Sequence, residues 1–255
     1  MFDPMTGLLA LGLIAGLAFA TWVVSLWRRD VSIVDGMWPL FIASAGVLYV
    51  LASPHPRASG TVALALLLLW AARLCLHITV RNHGQPEDRR YQKIRANNQP
   101  RFDIKSLYIV FGFQAALAWI VALPFMGIAR GNGFGLLDAA GALLVAFGIL
   151  FESVADWQLE QFKKRTDSRD RVLDTGLWRY SRHPNYFGEC CVWWGFGLMA
   201  AGTGAWWALA SPALMTLLLL KVSGVTMLER DIGERRPGYA RYVRETNAFM
   251  PGRRA

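Results

Sequence analysis

Residues 7–27 read GLLALGLIAGLAFATWVVSLW, and the two residues that follow, Arg28 and Arg29, are basic. An uncharged apolar run of this length matches the ~20 residues with which an α-helix crosses a bilayer. Further apolar stretches follow, and together they predict an all-α integral membrane protein, a bundle of seven transmembrane helices. The predicted spans are residues 7–27, 32–52, 61–80, 107–128, 136–156, 186–202 and 206–224.

The basic residues are sorted among the gaps between these spans. Most of the 27 Lys and Arg residues lie just after the first span, in residues 81–105, in residues 163–182 or from residue 230 onward. The alternate gaps contain only Arg57 and Arg130. The positive-inside rule therefore predicts an N-terminus outside and a C-terminus in the cytoplasm. Residues 1–255 are expected to form a single membrane domain whose cytoplasmic tail is 225–255, because little chain remains for a soluble domain.

Several classes of function are disfavoured by composition. The net charge of +9 does not indicate nucleic-acid binding, because the basic cytoplasmic loops of membrane proteins face anionic lipid. Cys75, Cys190 and Cys191 have no CxxC spacing, so they favour neither a disulfide framework nor a zinc site. The histidines lack the spacing of a metal site, and no metal is expected. Without a Rossmann unit or P-loop, a nucleotide would have to be bound by the helices and their loops.

Ionisable side chains within the predicted spans are candidate site residues, because a charge at membrane depth is costly. These side chains are Asp35, Arg73, His77, Glu152, Asp156 and Glu189. Arg73, His77 and Arg81 are spaced by four, as are Glu152, Asp156 and Glu160. This spacing places each set along one face of its helix. The acidic residues lie towards the predicted cytoplasmic ends of their spans. This pattern predicts a polar cavity open to the cytoplasm, and the alternative is ion pairs that only join helices.

The segment between spans three and four, RNHGQPEDRRYQKIR at residues 81–95, is rich in directional hydrogen-bonding groups. Arginine side chains can fork onto phosphate oxygens, whereas Asn, Gln and acidic side chains can bind ribose hydroxyls and amides. We therefore expect a phosphorylated cofactor to bind here, with a plain solvated loop as the alternative. The cofactor-binding residues predicted in this segment are Asn82, Gln85, Asp88, Arg89, Arg90, Tyr91 and Arg95.

Motifs in the C-terminal half carry a family resemblance. Residues 176–189 read GLWRYSRHPNYFGE, residues 229–231 read ERD, and residues 239–251 read YARYVRETNAFMP. With two apolar stretches between the first motif and the second, the combination resembles the bacterial branch of the steroid 5α-reductase family over about residues 35–251. The resemblance implies a seven-helix enzyme of the bacterial inner membrane. It would bind NADPH on the cytoplasmic side and reduce the carbon–carbon double bond of a 3-oxo-Δ4 steroid or similar lipid enone.

The resemblance also assigns site residues. The family's asparagine before span six falls on Asn185, its aspartate near the end of span five on Asp156, and a cationic position on Lys163. The family's NRGRP-like loop falls on Asn82 and Gln85, where a glutamine replaces an arginine. The cofactor-binding residues expected in this half of the chain are Asp156, Lys163, Arg171, Tyr180, Arg182, His183, Asn185, Tyr186, Glu189, Glu229, Arg230, Tyr239 and Tyr242.

Reduction of an enone requires an oriented nicotinamide, a polarised carbonyl and a proton for the α-carbon. The animal enzymes use a glutamate in span two, and Asp35 is its nearest counterpart. A desolvated, protonated carboxyl group at this position could donate to the carbonyl oxygen. The partner tyrosine of the family has no counterpart in span three, where Trp70 and Arg73 lie instead. The expected catalytic residues are therefore Asp35, Trp70, Arg73 and His77, and the oligomeric state is left open.

Two other classes of function remain open. The RHPNY element is also similar to isoprenylcysteine carboxyl and phospholipid methyltransferases, so methylation with S-adenosylmethionine is the main alternative. The reductase is favoured by the polar segment 81–95, by ERD where those enzymes favour paired glutamates, and by the number of spans. A transporter or lipid-binding scaffold would need polar groups near mid-membrane on both sides, and the predicted outward gaps are nearly featureless.

Overall fold

The computed structural model describes residues 2–53, 57–131, 133–168, 171–222 and 238–254. This part of the chain is helical and contains no strand. The α-helices are α1 (Pro4–Arg28), α2 (Ile33–Leu51), α3 (Ala58–Asn82), α4 (Arg89–Asn97), α5 (Phe102–Ile128), α6 (Leu136–Lys163), α7 (Pro184–Gly202), α8 (Ala210–Leu217) and α9 (Tyr239–Glu245). Shorter elements are the 3-10 helices Gly176–Arg179 and Trp206–Leu209 and two π-helical segments, Leu107–Gly112 inside α5 and Leu218–Val222 after α8.

Within the described residues, five helices are long and apolar enough to cross a bilayer, namely α1, α2, α3, α5 and α6. The chain is therefore a helical membrane protein, and the first five predicted spans fall on these helices. The predicted span 186–202 falls on α7, and the predicted span 206–224 falls on a shorter apolar helix, Trp206–Lys221. Residues 223 and 224 lie outside the described part. The count of seven spans and their orientation stay predictions.

Two boundaries differ from those expected. The helix α6 continues to Lys163 instead of ending at Asp156, so Asp156 lies inside a helix. The polar segment 81–95, expected as a loop, contains most of α4. Asp88 begins that helix, because its side-chain Oδ1 accepts a hydrogen bond from the Arg90 backbone N–H at 2.8 Å. An aspartate at this position satisfies a backbone donor that the first helical turn leaves unpaired.

The chain divides into two compact units. The first unit comprises Met1–Gly135 and Ala200–Ala208, and the second comprises Leu136–Met199 and Leu209–Ala255. In the first unit, α2 packs against α1, α3 and α5. The single membrane domain expected from the sequence stays a prediction.

In the second unit, α6 and α7 meet backbone to backbone at two pairs of glycines. A Cβ atom added to Gly148 would lie 2.6 Å from the Gly188 carbonyl oxygen, and one added to Gly141 would lie 2.5 Å from the Gly195 carbonyl oxygen. Small residues allow such close approach of membrane helices. A Cβ atom on Gly188 would also lie 2.7 Å from the Glu152 backbone nitrogen, so α6 packs directly against the start of α7 at Glu152.

Candidate functional site

In the first unit, three polar side chains form a cluster that we call the Asp35 cluster: Asp35, Arg90 and Tyr91. The Tyr91 hydroxyl donates to Asp35 Oδ1 at 2.6 Å, and the Arg90 guanidinium donates to Asp35 Oδ2 at 2.7 Å. Asp35 lies in the first turn of α2, whereas its two partners lie in the first turn of α4. The Asp35 side chain is only 15% exposed. In this arrangement the carboxylate accepts both hydrogen bonds.

Salt bridges hold α4 in place beside this cluster. Glu87 accepts from the Arg95 guanidinium at 2.8 and 3.0 Å and from the Val31 backbone N–H at 3.0 Å. The Arg95 guanidinium also lies over the Phe102 ring, 4.6 Å from its centroid. These contacts connect α4 to the α1–α2 turn and to the start of α5. The position of Tyr91 beside Asp35 is therefore fixed from both ends of the short helix.

The environment of Tyr91 keeps its hydroxyl group protonated. Burial raises the pKa of Tyr91 well above its ordinary value, and the neighbouring negative charge of Asp35 raises it further. Burial alone would lower the pKa of Arg90, but the Asp35 and Asp88 carboxylates outweigh burial and the pKa is raised. The cluster thus combines a neutral hydroxyl donor with a permanently charged guanidinium.

The other residues expected to be catalytic lie on α3. Trp70 is fully buried, and Arg73 and His77 are half-buried on the turns that follow. Asp35 lies beside the C-terminal part of α3, away from Trp70. Its neighbour Gly36 packs against Thr79, whose Oγ1 would be 3.2 Å from a Cβ atom added to Gly36. With a rise of about 1.5 Å per residue, Thr79 is roughly 13 Å along α3 from Trp70. Of Trp70, Arg73 and His77, His77 is the nearest to the level of Asp35 along the axis of α3.

The cations of segment 81–95 differ in their surroundings. Arg90 and Arg95, expected to bind phosphate, are both paired with carboxylates, as described above. Arg89 is exposed on the outer side of α4. Asn82 is half-buried and accepts from the Arg81 guanidinium at 3.1 Å, and Gln85 is exposed in the turn that follows α3.

In the second unit, polar groups gather where α6 meets the start of α7. We call Asp156, Asn185 and Glu189 the Asn185 cluster. The Asn185 side-chain amide donates to Asp156 Oδ1 at 3.1 Å, and its own oxygen accepts from the Tyr186 backbone N–H at 3.1 Å. Asp156 and Glu189 are each 6% exposed, and Glu189 accepts from the Trp193 indole at 2.9 Å. Both carboxyl groups are therefore buried, and their place in a cofactor site stays a prediction.

Aromatic rings border this cluster. The imidazole of His183 is buried and stacks on the Tyr186 ring, with centroids 5.5 Å apart and planes 4° from parallel. The His183 backbone N–H donates to the Ser181 hydroxyl at 3.1 Å. This stacking fixes the two rings against each other within the RHPNY segment.

The remaining predicted residues of the second unit fall into two groups. Lys163, Arg171 and Tyr180 are exposed, and Arg171 forms an ion pair with Asp167 at 3.3 Å. Arg182, Tyr239 and Tyr242 contact the C-terminal tail or lie in it: the Arg182 guanidinium donates to backbone carbonyls there, and the two tyrosine rings pack together with centroids 6.0 Å apart.

Some expectations fall on parts of the chain that the structure leaves undescribed. Glu229 and Arg230 lie outside the described residues. Among the described residues, no group of three His, Cys, Asp or Glu side chains is arranged to hold a metal ion.

Sequence reasoning missed the residues that fix the backbone around each cluster. Gln158 accepts from the Leu177 backbone N–H at 2.9 Å, and Ser181 donates to the Phe249 carbonyl at 2.8 Å. Glu87 was read only as part of a polar segment. The Ser181-to-His183 spacing was an available signal, because a serine hydroxyl commonly bonds a backbone N–H two residues on. The pairing of Gln158 with residue 177 has no local signal.

The model of the family described as "Protein of unknown function (DUF1295)" matches residues 21–246. The chain belongs to this family. The family includes membrane proteins that resemble steroid 5α-reductases. An uncharacterized protein of Schizosaccharomyces pombe is 26% identical over 267 aligned residues, which cover 90% of this chain and 75% of the yeast protein. No solved structure matches the chain at a significant level.

Proposed function

We propose that this DUF1295 protein is an NADPH-dependent membrane reductase. Its substrate would be a 3-oxo-Δ4 steroid or a similar lipid enone, and the bond reduced is the carbon–carbon double bond. The observation that carries the proposal is the hydrogen bond from the half-buried Asn185 amide to the buried Asp156 carboxylate, formed by the RHPNY segment against α6. Carboxylates buried at membrane depth are costly, and such groups commonly mark a binding site.

The chemistry of the Asn185 cluster suits a nicotinamide and its ribose. A carboxamide needs an acceptor for its N–H groups and a donor for its oxygen. Asp156 and Glu189 provide carboxylate acceptors, and the Asn185 amide provides a donor. When bound, NADPH supplies the hydride, and these three side chains orient the ring that carries it.

Cations of the same unit would bind the phosphates. Lys163 ends α6, seven positions after Asp156, and the exposed Arg171 follows eight positions later. Lysine binds phosphate as a point charge, whereas arginine can fork onto two phosphate oxygens. We assign the phosphate contacts to these two residues before Arg90 and Arg95, because Lys163 and Arg171 are exposed and belong to the same unit as Asn185, whereas Arg90 and Arg95 bind carboxylates of the first unit.

The Asp35 cluster is the proposed group that polarises the enone carbonyl. In its observed contacts Asp35 accepts two hydrogen bonds, so we move the donor role from Asp35 to the Tyr91 hydroxyl. The substrate oxygen would compete with Asp35 for the hydrogen atom of Tyr91. Arg90 would stabilise the negative charge that develops on that oxygen, and Asp35 would hold both donors in place.

We also propose the membrane arrangement expected from the basic residues. Seven spans, with the N-terminus outside and the C-terminus in the cytoplasm of a bacterial inner membrane, would put segment 81–105 and segment 163–182 on the cytoplasmic side. Single cysteines placed at Lys93 and Lys164 in a variant without native cysteines should resist an impermeant thiol reagent in intact cells. Labelling of either residue in intact cells would contradict this topology.

The cofactor assignment is tested by titration of the purified protein in detergent with NADPH, NADH and S-adenosylmethionine. We expect NADPH to bind most tightly. The Asn185→Ala variant should weaken NADPH binding, whereas Tyr108→Phe, at an exposed tyrosine of the first unit, should leave it unchanged. Preferential binding of S-adenosylmethionine would replace the reductase with the methyltransferase alternative.

A further inference from the structure

The C-terminal tail of the second unit, residues 239–254, is hydrogen-bonded to the segment that leads into the RHPNY motif, residues 174–183. The Arg182 backbone N–H donates to the Asn247 carbonyl at 2.9 Å, and the Gly252 N–H donates to the Tyr180 carbonyl at 3.0 Å. The Arg254 guanidinium reaches the Asp174 carboxylate at 3.0 Å. These bonds join two segments that are about seventy residues apart in sequence.

Two side chains form the central part of this connection. The buried Tyr242 hydroxyl donates to the Trp178 carbonyl at 2.5 Å and lies 3.3 Å from the Ser181 carbonyl. In the opposite direction, the Arg182 guanidinium donates to the Val243 and Thr246 carbonyls at 2.9 and 2.6 Å. The latter carbonyls lie at the C-terminal end of α9, which leaves such groups without helical partners.

The conformation of residues 180–183, which lead to Asn185, depends on these bonds because this segment contains little regular secondary structure. Residues 180–183 follow a single 3-10 turn and precede α7, so their backbone groups must find partners outside a helix. The Ser181 hydroxyl connects the two sides, since it donates to the Phe249 carbonyl and accepts from the His183 N–H. Asn185 lies two residues beyond His183.

We infer that Tyr242 and Arg182 are positioning residues, which fix the RHPNY segment so that Asn185 meets Asp156 in the orientation that binds the cofactor. This inference rests on the proposed function. It changes the role expected for both residues: instead of touching NADPH, they act on it through the backbone of residues 178–185. Losing one of these bonds should therefore weaken cofactor binding more than it slows the chemical step.

The variant Tyr242→Phe tests this inference, because it removes one hydroxyl and keeps the buried ring. Val243→Ala is the matched control, since Val243 is the next residue of α9 and its side chain is 37% exposed. Amide hydrogen exchange of residues 174–187 in the ligand-free protein should be about tenfold faster in Tyr242→Phe, as for loss of one buried hydrogen bond. The control should exchange like the wild type.

The same variant should bind NADPH about tenfold more weakly. At saturating NADPH its turnover should stay within about twofold of wild type. If Tyr242→Phe fails to fold, Ser181→Ala provides a second test, because it removes the hydrogen bond to the Phe249 carbonyl. It should also speed hydrogen exchange and weaken NADPH binding. Normal exchange or normal NADPH affinity in a folded variant would overturn the inference alone. Failure of the wild-type protein to bind NADPH would overturn the proposed function, and this inference with it.

Discussion

Replacing Tyr91 by phenylalanine should slow enone reduction without affecting cofactor binding. The substitution removes one hydroxyl group from a ring that is 5% exposed, and it leaves the ring's packing in place. The hydroxyl donates to Asp35 at 2.6 Å, and we propose that it turns to the substrate carbonyl during reduction. A donor of this kind acts on the transition state more than on the bound cofactor.

The expected size of the effect follows from the loss of one oxyanion donor. Such a loss typically costs about 10²–10³ in rate, or roughly 3–4 kcal/mol. The effect on folding should be smaller, because Asp35 keeps its hydrogen bond from Arg90 at 2.7 Å. Loss of one hydrogen bond to a charged group costs about 1.5–3 kcal/mol of stability.

Single-turnover conversion of a 3-oxo-Δ4 steroid, with NADPH in excess, is the appropriate assay. The NADPH affinity of Tyr91→Phe should match that of wild type. Tyr108→Phe serves as the control, because Tyr108 is 61% exposed and lies outside both clusters. Full single-turnover activity of Tyr91→Phe would refute the assignment of Tyr91 as carbonyl donor, and the donor would then be sought at Arg90 or His77.

Three further predictions follow from particular contacts. Asp35→Asn should slow turnover while sparing NADPH affinity, whereas Asn185→Ala should weaken NADPH affinity; equal effects of both variants on affinity, measured by titration, would argue against separate roles. Gly188→Ala should destabilise the protein by about 1–3 kcal/mol in chemical denaturation, because a Cβ there would lie 2.7 Å from the Glu152 nitrogen. Gly12→Ala, with no atom within 4 Å of the new Cβ, should not destabilise it; similar losses for both glycines would contradict the packing. Burial raises the pKa of Glu87 and of Asp88, but hydrogen bonds from Arg95 and Arg90 outweigh burial, so both pKa values are lowered. The two ionised carboxylates therefore stabilise the folded protein above their ordinary pKa values of 4.5 and 3.8, and this stabilisation is lost as the pH falls below those values. The melting temperature should therefore fall on acidification, and less so in Glu87→Gln; an identical pH profile for that variant would contradict the role of Glu87.

The membrane helices could be predicted from the sequence because a long, uncharged apolar segment seldom occurs outside a membrane-spanning helix. The same cost argument identified Asp156 and Glu189, which the structure buries. The predicted span 186–202 is less clearly marked by composition, because α7 contains Glu189 and begins with Pro184 and Asn185. The short helix α4 was missed because segment 81–95 has no apolar face of sufficient length, although Asp88 is a typical N-cap residue.

The partners of charged side chains were less accessible. Segment 81–95 suggested phosphate binding for Arg90 and Arg95, but an arginine fork fits a carboxylate as well as a phosphate. Asp35 and Tyr91 are 56 positions apart, and nothing local to either residue indicates their hydrogen bond. The same limit applies to Tyr242, whose hydroxyl meets a carbonyl 64 positions away. Tertiary packing, which spacing does not encode, decides these pairs.

Hydride transfer itself can be followed with NADPH that carries deuterium at the transferred position. Purified protein in detergent would be incubated with this cofactor and a 3-oxo-Δ4 steroid, and the product analysed by mass spectrometry and NMR. We expect one deuterium on the former β-carbon of the enone, and much slower labelling with Tyr91→Phe. A product without deuterium, or a methylated product when S-adenosylmethionine is supplied instead, would contradict the assignment of this protein as a reductase.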